Sequence, residues 1–271
     1  MQALRHFLLA VQFFTRIPVT GRCADWVGFS PAMLRASAAH FPGVGWIVAA
    51  MAALVYGTFH LLFGPQPYAA LACAALSTAA TVVLTGGFHE DGLADVADGL
   101  GGSADRGRAL EIMKDSRIGA FGAMALCLAL ASKLALLAML GHRGLAVALA
   151  ALAGAHVVSR FWPLLLVRTL PHVGNEATSK SKPLADRITL GALLAAGLWA
   201  TPALVLAAWL LGPAPALAAL GASGLAAWTL RAWFARRLQG FTGDCLGAVQ
   251  QVAEIAFYLG CAAAAGTAAT A

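Results

Sequence analysis

The sequence predicts an all-α integral membrane protein, a polytopic bundle of about seven transmembrane helices that follows an amphipathic N-terminal segment. Of the 271 residues, 60% are hydrophobic and only 11% are charged, whereas charged residues make up about 25% of a typical soluble domain. Apolar runs of ~20 residues, the length that crosses ~30 Å of hydrocarbon as a helix, recur along most of the chain. We therefore expect residues 1–271 to form one domain in a lipid bilayer.

Seven apolar stretches are long enough to be membrane spans. In chain order they are Val44–Phe63, Tyr68–Leu84, Gly119–Leu140, Leu145–Val167, Ile188–Leu211, Ala214–Leu230 and Leu246–Ala264. The segment before them, MQALRHFLLAVQFFTRIPV, has only a brief apolar core and no small-residue cleavage site. We predict that it stays in the mature protein as an amphipathic segment at the membrane surface.

The distribution of charge among the loops predicts the orientation of the spans. Loops 64–67 and 212–215 carry no charge, and loop 141–143 carries one Arg, whereas the N-terminal segment and the other three loops contain clusters of Arg and Lys. By the positive-inside rule, the clustered set faces the cytoplasm, and with all seven spans crossing the membrane the C-terminus lies outside. This pattern also explains the net charge of +6. Because the Lys and Arg residues are distributed over several loops and are not gathered into one basic stripe, the charge does not indicate a nucleic-acid partner.

The motif with the clearest chemistry lies between the second and third predicted spans. Seven of the chain's 12 acidic residues fall between positions 86 and 122. If this stretch is helical, Asp91, Asp95 and Asp98 stand at i, i+4 and i+7 on one helix face. No Lys or Arg lies between positions 88 and 103 to balance them. Mg²⁺, which binds a few carboxylates together with substrate phosphates, is the predicted counter-charge; a solvated acidic face is the alternative.

Further candidates flank this motif on both sides. His89 is a candidate base or ligand, or else a structural histidine beside Gly-Gly. Glu90 is a further candidate metal ligand. Downstream, Lys114 and Arg117 in KDSRIGAFG are able to hold phosphate oxygens, and the guanidinium offers a two-pronged contact. The alternative role of these two cations is to flank the third span on its cytoplasmic side.

Charged residues inside the predicted spans are functional candidates by default, because such groups face a cavity or a partner more often than lipid. Arg160 lies near the cytoplasmic end of one span, and Glu254 lies inside the last one. Lys133 is deeper in its span, where snorkelling or simple pairing explains it.

Two short polar segments, residues 174–187 and 239–251, contain the remaining candidate residues. In GNEATSKSKPLADR, Lys180 and Lys182 are candidate phosphate ligands or ordinary loop charges. In QGFTGDCLGAVQQ, Thr242 and Asp244 precede a predicted helix, where either side chain would cap the N-terminus and the exposed amides would also suit an anion.

Taken together, these motifs resemble the cobalamin synthase family, the adenosylcobinamide-GDP ribazoletransferases. The resemblance is carried by Gln12-Phe13-Phe14-Thr15-Arg16-Ile17-Pro18, by Phe41-Pro42 with Gly45, by His89-Glu90-Asp91-Gly92-Leu93 with Asp95 and Asp98-Gly99, by Lys114-Asp115-Ser116-Arg117-Ile118-Gly119, and by Thr242-Gly243-Asp244 with Gly247-Ala248. It extends from residue 2 to about residue 258.

The resemblance implies a Mg²⁺-dependent transferase of the bacterial inner membrane, with its active loops facing the cytoplasm. Such an enzyme joins adenosylcobinamide-GDP to α-ribazole, or to its 5′-phosphate, and releases GMP in a late step of cobalamin biosynthesis. A second copy of the chain and other enzymes of the corrinoid pathway are the further partners considered.

The chemistry of a pyrophosphate substrate agrees with this resemblance, since it needs a metal for the leaving phosphate, cations for the transferred one and a base for the attacking hydroxyl. We assign Asp91, Asp95 and Asp98 to Mg²⁺, with Asp98 or His89 as the candidate base, and we place Arg117 on the pyrophosphate. The candidate substrate-binding residues are Lys114, Asp115, Arg160, Lys180, Lys182, Thr242 and Asp244.

Three other classes share part of this pattern. CDP-alcohol phosphatidyltransferases have a similar carboxylate spacing, but their Asp-Gly-x-x-Ala-Arg element is absent here. Prenyltransferases with Asp-rich motifs are a second enzyme alternative. A cation or proton-coupled transporter would also carry intramembrane charges, but here the acids cluster in a predicted cytoplasmic loop instead of at mid-membrane.

Overall fold

The computed structural model describes residues 1–174 and 188–267, with side chains up to residue 264. These residues are organised into helices, and one isolated bridge pairs His172 with Phe241. The helices are α1 Gln2–Phe14, α2 Gly21–Val27, α3 Pro31–Ser37, a 3₁₀ turn Ala38–His40, α4 Phe41–Phe63, α5 Ala69–Thr85, α6 Phe88–Gly102, α7 Arg106–Ile112, α8 Ala120–Gly141, α9 Leu145–Val158, α10 Trp162–Thr169, α11 Leu190–Leu211, α12 Pro213–Arg237 and α13 Gly243–Thr267.

The prediction of a polytopic helical membrane protein is confirmed. Helices occupy most of each of the seven predicted spans, and the fourth, Leu145–Val167, is divided between α9 and α10. Five stretches of the described chain are long and apolar enough to cross a membrane: Pro31–Phe63, Ala120–Gly141, Leu145–Thr169, Leu190–Leu211 and Gly243–Ala264. A sixth is possible only if α5 and α6, which meet at 89°, count as one broken span. The count of seven is therefore not confirmed: α5 has only 17 residues, and α12, with two Pro, two Gly and a Ser in its first twelve residues, is less apolar than the five spans.

The N-terminal helix α1 is amphipathic, as predicted. Its buried residues Leu9, Ala10, Val11 and Phe14 form one face, and this face belongs to a core cluster of the bundle. The main-chain amide of Arg16 donates a 2.7 Å hydrogen bond to the carbonyl of Leu84 at the end of α5. The rings of Phe13 and Phe14 also contact the ring of Phe88, so the end of α1 lies against the start of α6.

Two consecutive glycines produce the sharp bend that aims the acidic helix α6 away from α5. Gly86 and Gly87 have φ angles of +69° and +68°, a left-handed conformation that glycine adopts without the steric penalty of a β-carbon. Helix α6 then begins at Phe88. Because of this bend, the predicted acidic face belongs to a separate helix, which packs against α8 and α13.

Helix α6 crosses the start of α13 at unusually short range, and glycine makes the crossing possible. A β-carbon at Gly92 would stand 2.8 Å from the carbonyl oxygen of Asp244, and one at Gly247 would stand 3.2 Å from that of His89. Small residues at such points let two helix backbones approach closely. The crossing brings residues near position 91 together with residues near position 244.

Candidate functional site

Three carboxylates meet where α6 crosses α13, and we call Asp91, Asp95 and Asp244 the acid cluster. Asp91 and Asp95 stand one turn apart on α6, and Asp244 lies in the first turn of α13. Asp95 experiences the negative charges of Asp244 and Asp91 as well as that of Asp98. None of the three forms an ion pair with any residue that the structure describes. The cluster therefore concentrates negative charge that no cation of the described residues balances.

The acid cluster suits Mg²⁺ by the chemistry of its donors, which are carboxylate oxygens without a cationic partner in the described part of the chain. Within residues 1–174 and 188–267, no group of three or more His, Cys, Asp or Glu side chains is already arranged to hold a metal ion. Mg²⁺ does not require a complete protein cage, since it usually keeps several waters and binds through one or two carboxylates plus substrate phosphates. The donor set fits that mode of binding, and Mg²⁺ dependence stays a prediction.

Asp98, the third residue of the predicted acidic face, has a structural role. Its side chain is buried, and its two oxygens accept hydrogen bonds from the main-chain amides of Gly119 at 2.7 Å and Gly122 at 2.8 Å. A carboxylate at this position satisfies free amides in the first turn of α8 and complements the helix dipole. These hydrogen bonds account for a buried carboxylate at position 98 without a metal ion or a substrate. The assignment of Asp98 as a metal ligand or a base therefore stays a prediction.

His89 and Glu90 turn toward the interior instead of toward the acid cluster. His89 is 2% exposed and its ring stacks on Phe41 with centroids 5.7 Å apart. One carboxylate oxygen of Glu90 accepts a 2.9 Å hydrogen bond from the side-chain amide of Gln251. His89 Nε2 and Glu90 Oε2 have no hydrogen-bond partner among the described residues.

The bundle interior holds a buried ion pair that connects to Glu90. Lys133 Nζ lies 2.6 Å from Glu254 Oε1, with the two side chains 2% and 1% exposed. The side-chain amide nitrogen of Gln250 donates a 2.7 Å hydrogen bond to the other carboxylate oxygen of Glu254. The side-chain nitrogen of Gln251 in turn donates a 3.0 Å hydrogen bond to the side-chain oxygen of Gln250. Lys133 thus pairs, one of the two roles predicted for it. The two glutamines carry no signal in the sequence that would have identified this link.

Arg160 also lies inside the protein, as expected for a charge within a span. Its side chain is 2% exposed, and Nη1 donates a 2.8 Å hydrogen bond to the carbonyl of His156 at the end of α9. The guanidinium carbon lies 5.8 Å from the centroid of the Phe41 ring. The structure therefore places Arg160 beside His89 and Phe41 and not at the acid cluster.

The loop before α8 borders an open cleft of about 570 Å³ that includes Asp115 and Arg117. Two nitrogens of the Arg117 guanidinium contact the Asp115 carboxylate at 2.9 and 2.6 Å, although the Arg117 side chain is 87% exposed. These hydrogen bonds hold the pKa of Asp115 at about 2, well below its usual range. Lys114 is exposed beside them. A phosphate at Arg117 would have to share the guanidinium with Asp115.

The remaining predicted residues separate into two groups. Thr242 Oγ1 accepts a 3.4 Å hydrogen bond from the amide of Cys245, which confirms its role as the cap of α13, and it also donates to Asp244 at 3.1 Å. Lys180 and Lys182 lie within 175–187, outside the described residues.

The fold and these contacts define a multi-pass helical membrane protein with an acid cluster at the crossing of two helices. Comparison with known proteins is more specific. The chain belongs to the cobalamin-5-phosphate synthase family, whose model matches residues 6–262. This match confirms the predicted family. It does not favour any of the three alternatives, which were a CDP-alcohol phosphatidyltransferase, a prenyltransferase and a transporter.

Similar curated proteins cover almost the whole chain. A protein of Polaromonas sp. (strain JS666 / ATCC BAA-500) is 63% identical over 96% of this chain and 97% of its own length, and one of Leptothrix cholodnii is 48% identical over 96% and 97%. Both carry the name adenosylcobinamide-GDP ribazoletransferase. No solved structure matches the chain.

Proposed function

We propose that the chain is an adenosylcobinamide-GDP ribazoletransferase of the bacterial inner membrane. The observation that carries the proposal is the identity of 63% to a relative of that name over nearly the full length of both chains. In this reaction a hydroxyl of α-ribazole, or of its 5′-phosphate, attacks the phosphorus that bears the cobinamide. The bond between that phosphorus and the bridging oxygen breaks, and GMP leaves with the bridging oxygen.

The acid cluster supports this chemistry as the place where the leaving phosphate is neutralised. Bound Mg²⁺ would supply positive charge to the pyrophosphate, and Asp91, Asp95 and Asp244 are the residues that would hold it. Lys114 and Arg117, both exposed in the loop before α8, are the candidate cations for the phosphate oxygens. We further propose that this end of the bundle faces the cytoplasm, because the basic segments around Arg106 and Arg237 contact each other there and the positive-inside rule places such segments in the cytoplasm. Association with a second copy or with other corrinoid-pathway enzymes stays a prediction.

Release of GMP by the purified protein in proteoliposomes tests the proposed function. We expect release to require adenosylcobinamide-GDP, α-ribazole and Mg²⁺ together, and to stop when EDTA removes the metal. In sealed cell-membrane vesicles, inside-out preparations should react with added substrates and right-side-out ones should not. The absence of GMP release with all three components present would contradict the transferase assignment. Release that continues after addition of EDTA would contradict the proposed requirement for Mg²⁺.

Replacing Arg117 with lysine should lower kcat/KM for adenosylcobinamide-GDP by about tenfold, which corresponds to ~1.4 kcal/mol of transition-state stabilisation. Lysine keeps the positive charge but loses the planar fork that contacts two oxygens at once. The same substitution at Arg143, an exposed arginine in another loop, serves as the matched control. If Arg117 acts only in membrane orientation, the two variants will both transfer at the wild-type rate per molecule in the membrane.

A further inference from the structure

One face of α13 follows α6 from the acid cluster into the bundle interior. Asp244, Gly247 and Gln251 stand at i, i+3 and i+7 along α13, which places them on one side of the helix. A β-carbon at Gly92 would stand 2.8 Å from the carbonyl oxygen of Asp244, and one at Gly247 would stand 3.4 Å from the α-carbon of Gly92. Further along, the side chain of Gln251 donates a 2.9 Å hydrogen bond to Glu90. The same contact therefore carries a carboxylate of the acid cluster at one end and this hydrogen bond at the other.

At this crossing, bare glycine backbones bring the two helices close but do not fix their register. Ridges of side chains that fit into the grooves of a neighbouring helix normally set it, and Gly92 and Gly247 contribute no side chain. A hydrogen bond between side chains is directional, and one buried polar residue is enough to fix the register of a coiled coil. Within the described residues, the hydrogen bond from Gln251 to Glu90 is the only one that a side chain makes between α6 and α13. It is therefore the contact best suited to hold α6 in one rotation.

Gln251 is itself held in place by the rest of the bundle. Gln250 and Gln251 are both buried, and the side-chain oxygen of Gln250 accepts a 3.0 Å hydrogen bond from Gln251. The side-chain nitrogen of Gln250 donates to Ser159 at the end of α9 and to Glu254, which pairs with Lys133 of α8. Since each glutamine uses both of its side-chain N–H bonds, neither amide is free to turn. The position of Gln251 is thus fixed relative to α8, α9 and α13.

The acid cluster pushes α6 and α13 apart at the other end of this contact. The negative charges of Asp91 and Asp244 both act on Asp95, and like charges at short range repel. On α13 the glycine crossing lies between Asp244 and Gln251, so a hydrogen bond at Gln251 opposes a movement driven from Asp244. Because Glu90 directly precedes Asp91, a rotation of α6 that breaks this hydrogen bond would also move Asp91 relative to α13.

We propose that Gln251 is a positioning residue for the acid cluster: through Glu90 it holds α6 in the rotation that keeps Asp91 and Asp95 beside Asp244. The inference rests on the proposed function, in which the cluster holds Mg²⁺. Residues that orient metal ligands from behind typically change metal affinity by roughly 10–100-fold when they are replaced. The assignment also gives Glu90 a role other than that of a metal ligand, because its carboxylate faces Gln251 instead of the cluster.

Binding of Mn²⁺, a paramagnetic substitute for Mg²⁺, to the full-length protein in detergent tests the assignment. Free Mn²⁺ is counted from its electron paramagnetic resonance signal. Gln251→Leu removes the hydrogen-bond donor at similar volume, and we expect it to weaken Mn²⁺ binding about tenfold. The Mg²⁺ concentration for half-maximal GMP release should rise by the same factor, with little change in the rate at saturating Mg²⁺. Gln66→Leu, the same change in the exposed loop between α4 and α5, should bind Mn²⁺ like wild type.

Two further variants separate positioning from stability. Glu90→Gln keeps a side-chain oxygen that accepts a hydrogen bond from Gln251, so it should lose much less Mn²⁺ affinity than Glu90→Leu. The double variant Glu90→Leu with Gln251→Leu removes the carboxylate together with its donor. Its melting temperature should therefore exceed that of Gln251→Leu, while its Mn²⁺ affinity stays low. The losses of affinity in the two single variants should not add, because both break the same hydrogen bond.

Wild-type Mn²⁺ affinity in folded Gln251→Leu or in the double variant would overturn the assignment, because α6 would then keep its position without the hydrogen bond. Equal losses of affinity in Glu90→Gln and Glu90→Leu would overturn it in favour of Glu90 as a metal ligand. If the wild-type protein binds Mn²⁺ and the variants behave as expected, but no GMP is released, only the proposed transferase function fails. If the wild-type protein binds no Mn²⁺, the positioning role fails, and GMP release that needs no metal would leave the transferase function standing.

Discussion

Replacing Asp91 or Asp95 with alanine is expected to lower GMP release on the order of a hundredfold or more while the protein still inserts into the membrane. Neither side chain makes a hydrogen bond or an ion pair with the described part of the chain. Each variant therefore removes a candidate metal ligand without removing a hydrogen bond or an ion pair within the described residues. Because the substitution also relieves repulsion between like charges on one helix face, the melting temperature should stay the same or rise.

Initial rates of GMP release in proteoliposomes at saturating Mg²⁺ measure this effect, together with thermal unfolding of the same preparations. Glu111→Gln is the matched control, since Glu111 is an exposed acid of the same region whose carboxylate pairs with Arg108 at 3.0 Å. It should transfer at the wild-type rate. Near-wild-type activity in Asp91→Ala or Asp95→Ala would remove that residue from the metal site. A fall in both activity and melting temperature would show that the residue is structural.

Glu254→Ala should be the most destabilising of the changes considered, lowering the free energy of unfolding by about 3–5 kcal/mol. The variant leaves the Lys133 ammonium buried without its counter-ion, which a 2.6 Å contact supplies in the native protein. It also removes the acceptor for the amide of Gln250 and for the hydroxyl of Tyr258. A buried charge that loses its partner has no compensation from water, so the loss is much larger than for a surface pair.

Thermal unfolding of the detergent-solubilised protein measures this destabilisation. The double variant Lys133→Met with Glu254→Leu should recover a large part of the loss, because it removes both charges and keeps apolar volume in their place. An unchanged melting temperature in Glu254→Ala would show that the ion pair does not stabilise the bundle. Equal melting temperatures of the single and double variants would show that the unpaired lysine is not the cause.

The sequence anticipated the helical part of this architecture better than the arrangement of the site. The seven predicted spans coincide with helices because apolar runs and helix length are local properties of the chain. The number of membrane crossings was less predictable, since the glycine pair at 86 and 87 bends α6 away from α5 by 89°. The same regular spacing that placed Asp98 with Asp91 and Asp95 gave no sign that its oxygens would bind the amides of α8.

By itself, the sequence determined that this is a multi-pass helical membrane protein of the cobalamin-5-phosphate synthase family, with carboxylates on one face of α6. Hydropathy and the i, i+4 spacing depend only on neighbours along the chain. Only the tertiary structure decided that Asp244 joins Asp91 and Asp95 and that Glu254 pairs with Lys133. These partners lie far apart in sequence; for the acid cluster, Gly92 and Gly247 let the backbones of α6 and α13 approach closely enough for Asp244 to join Asp91 and Asp95.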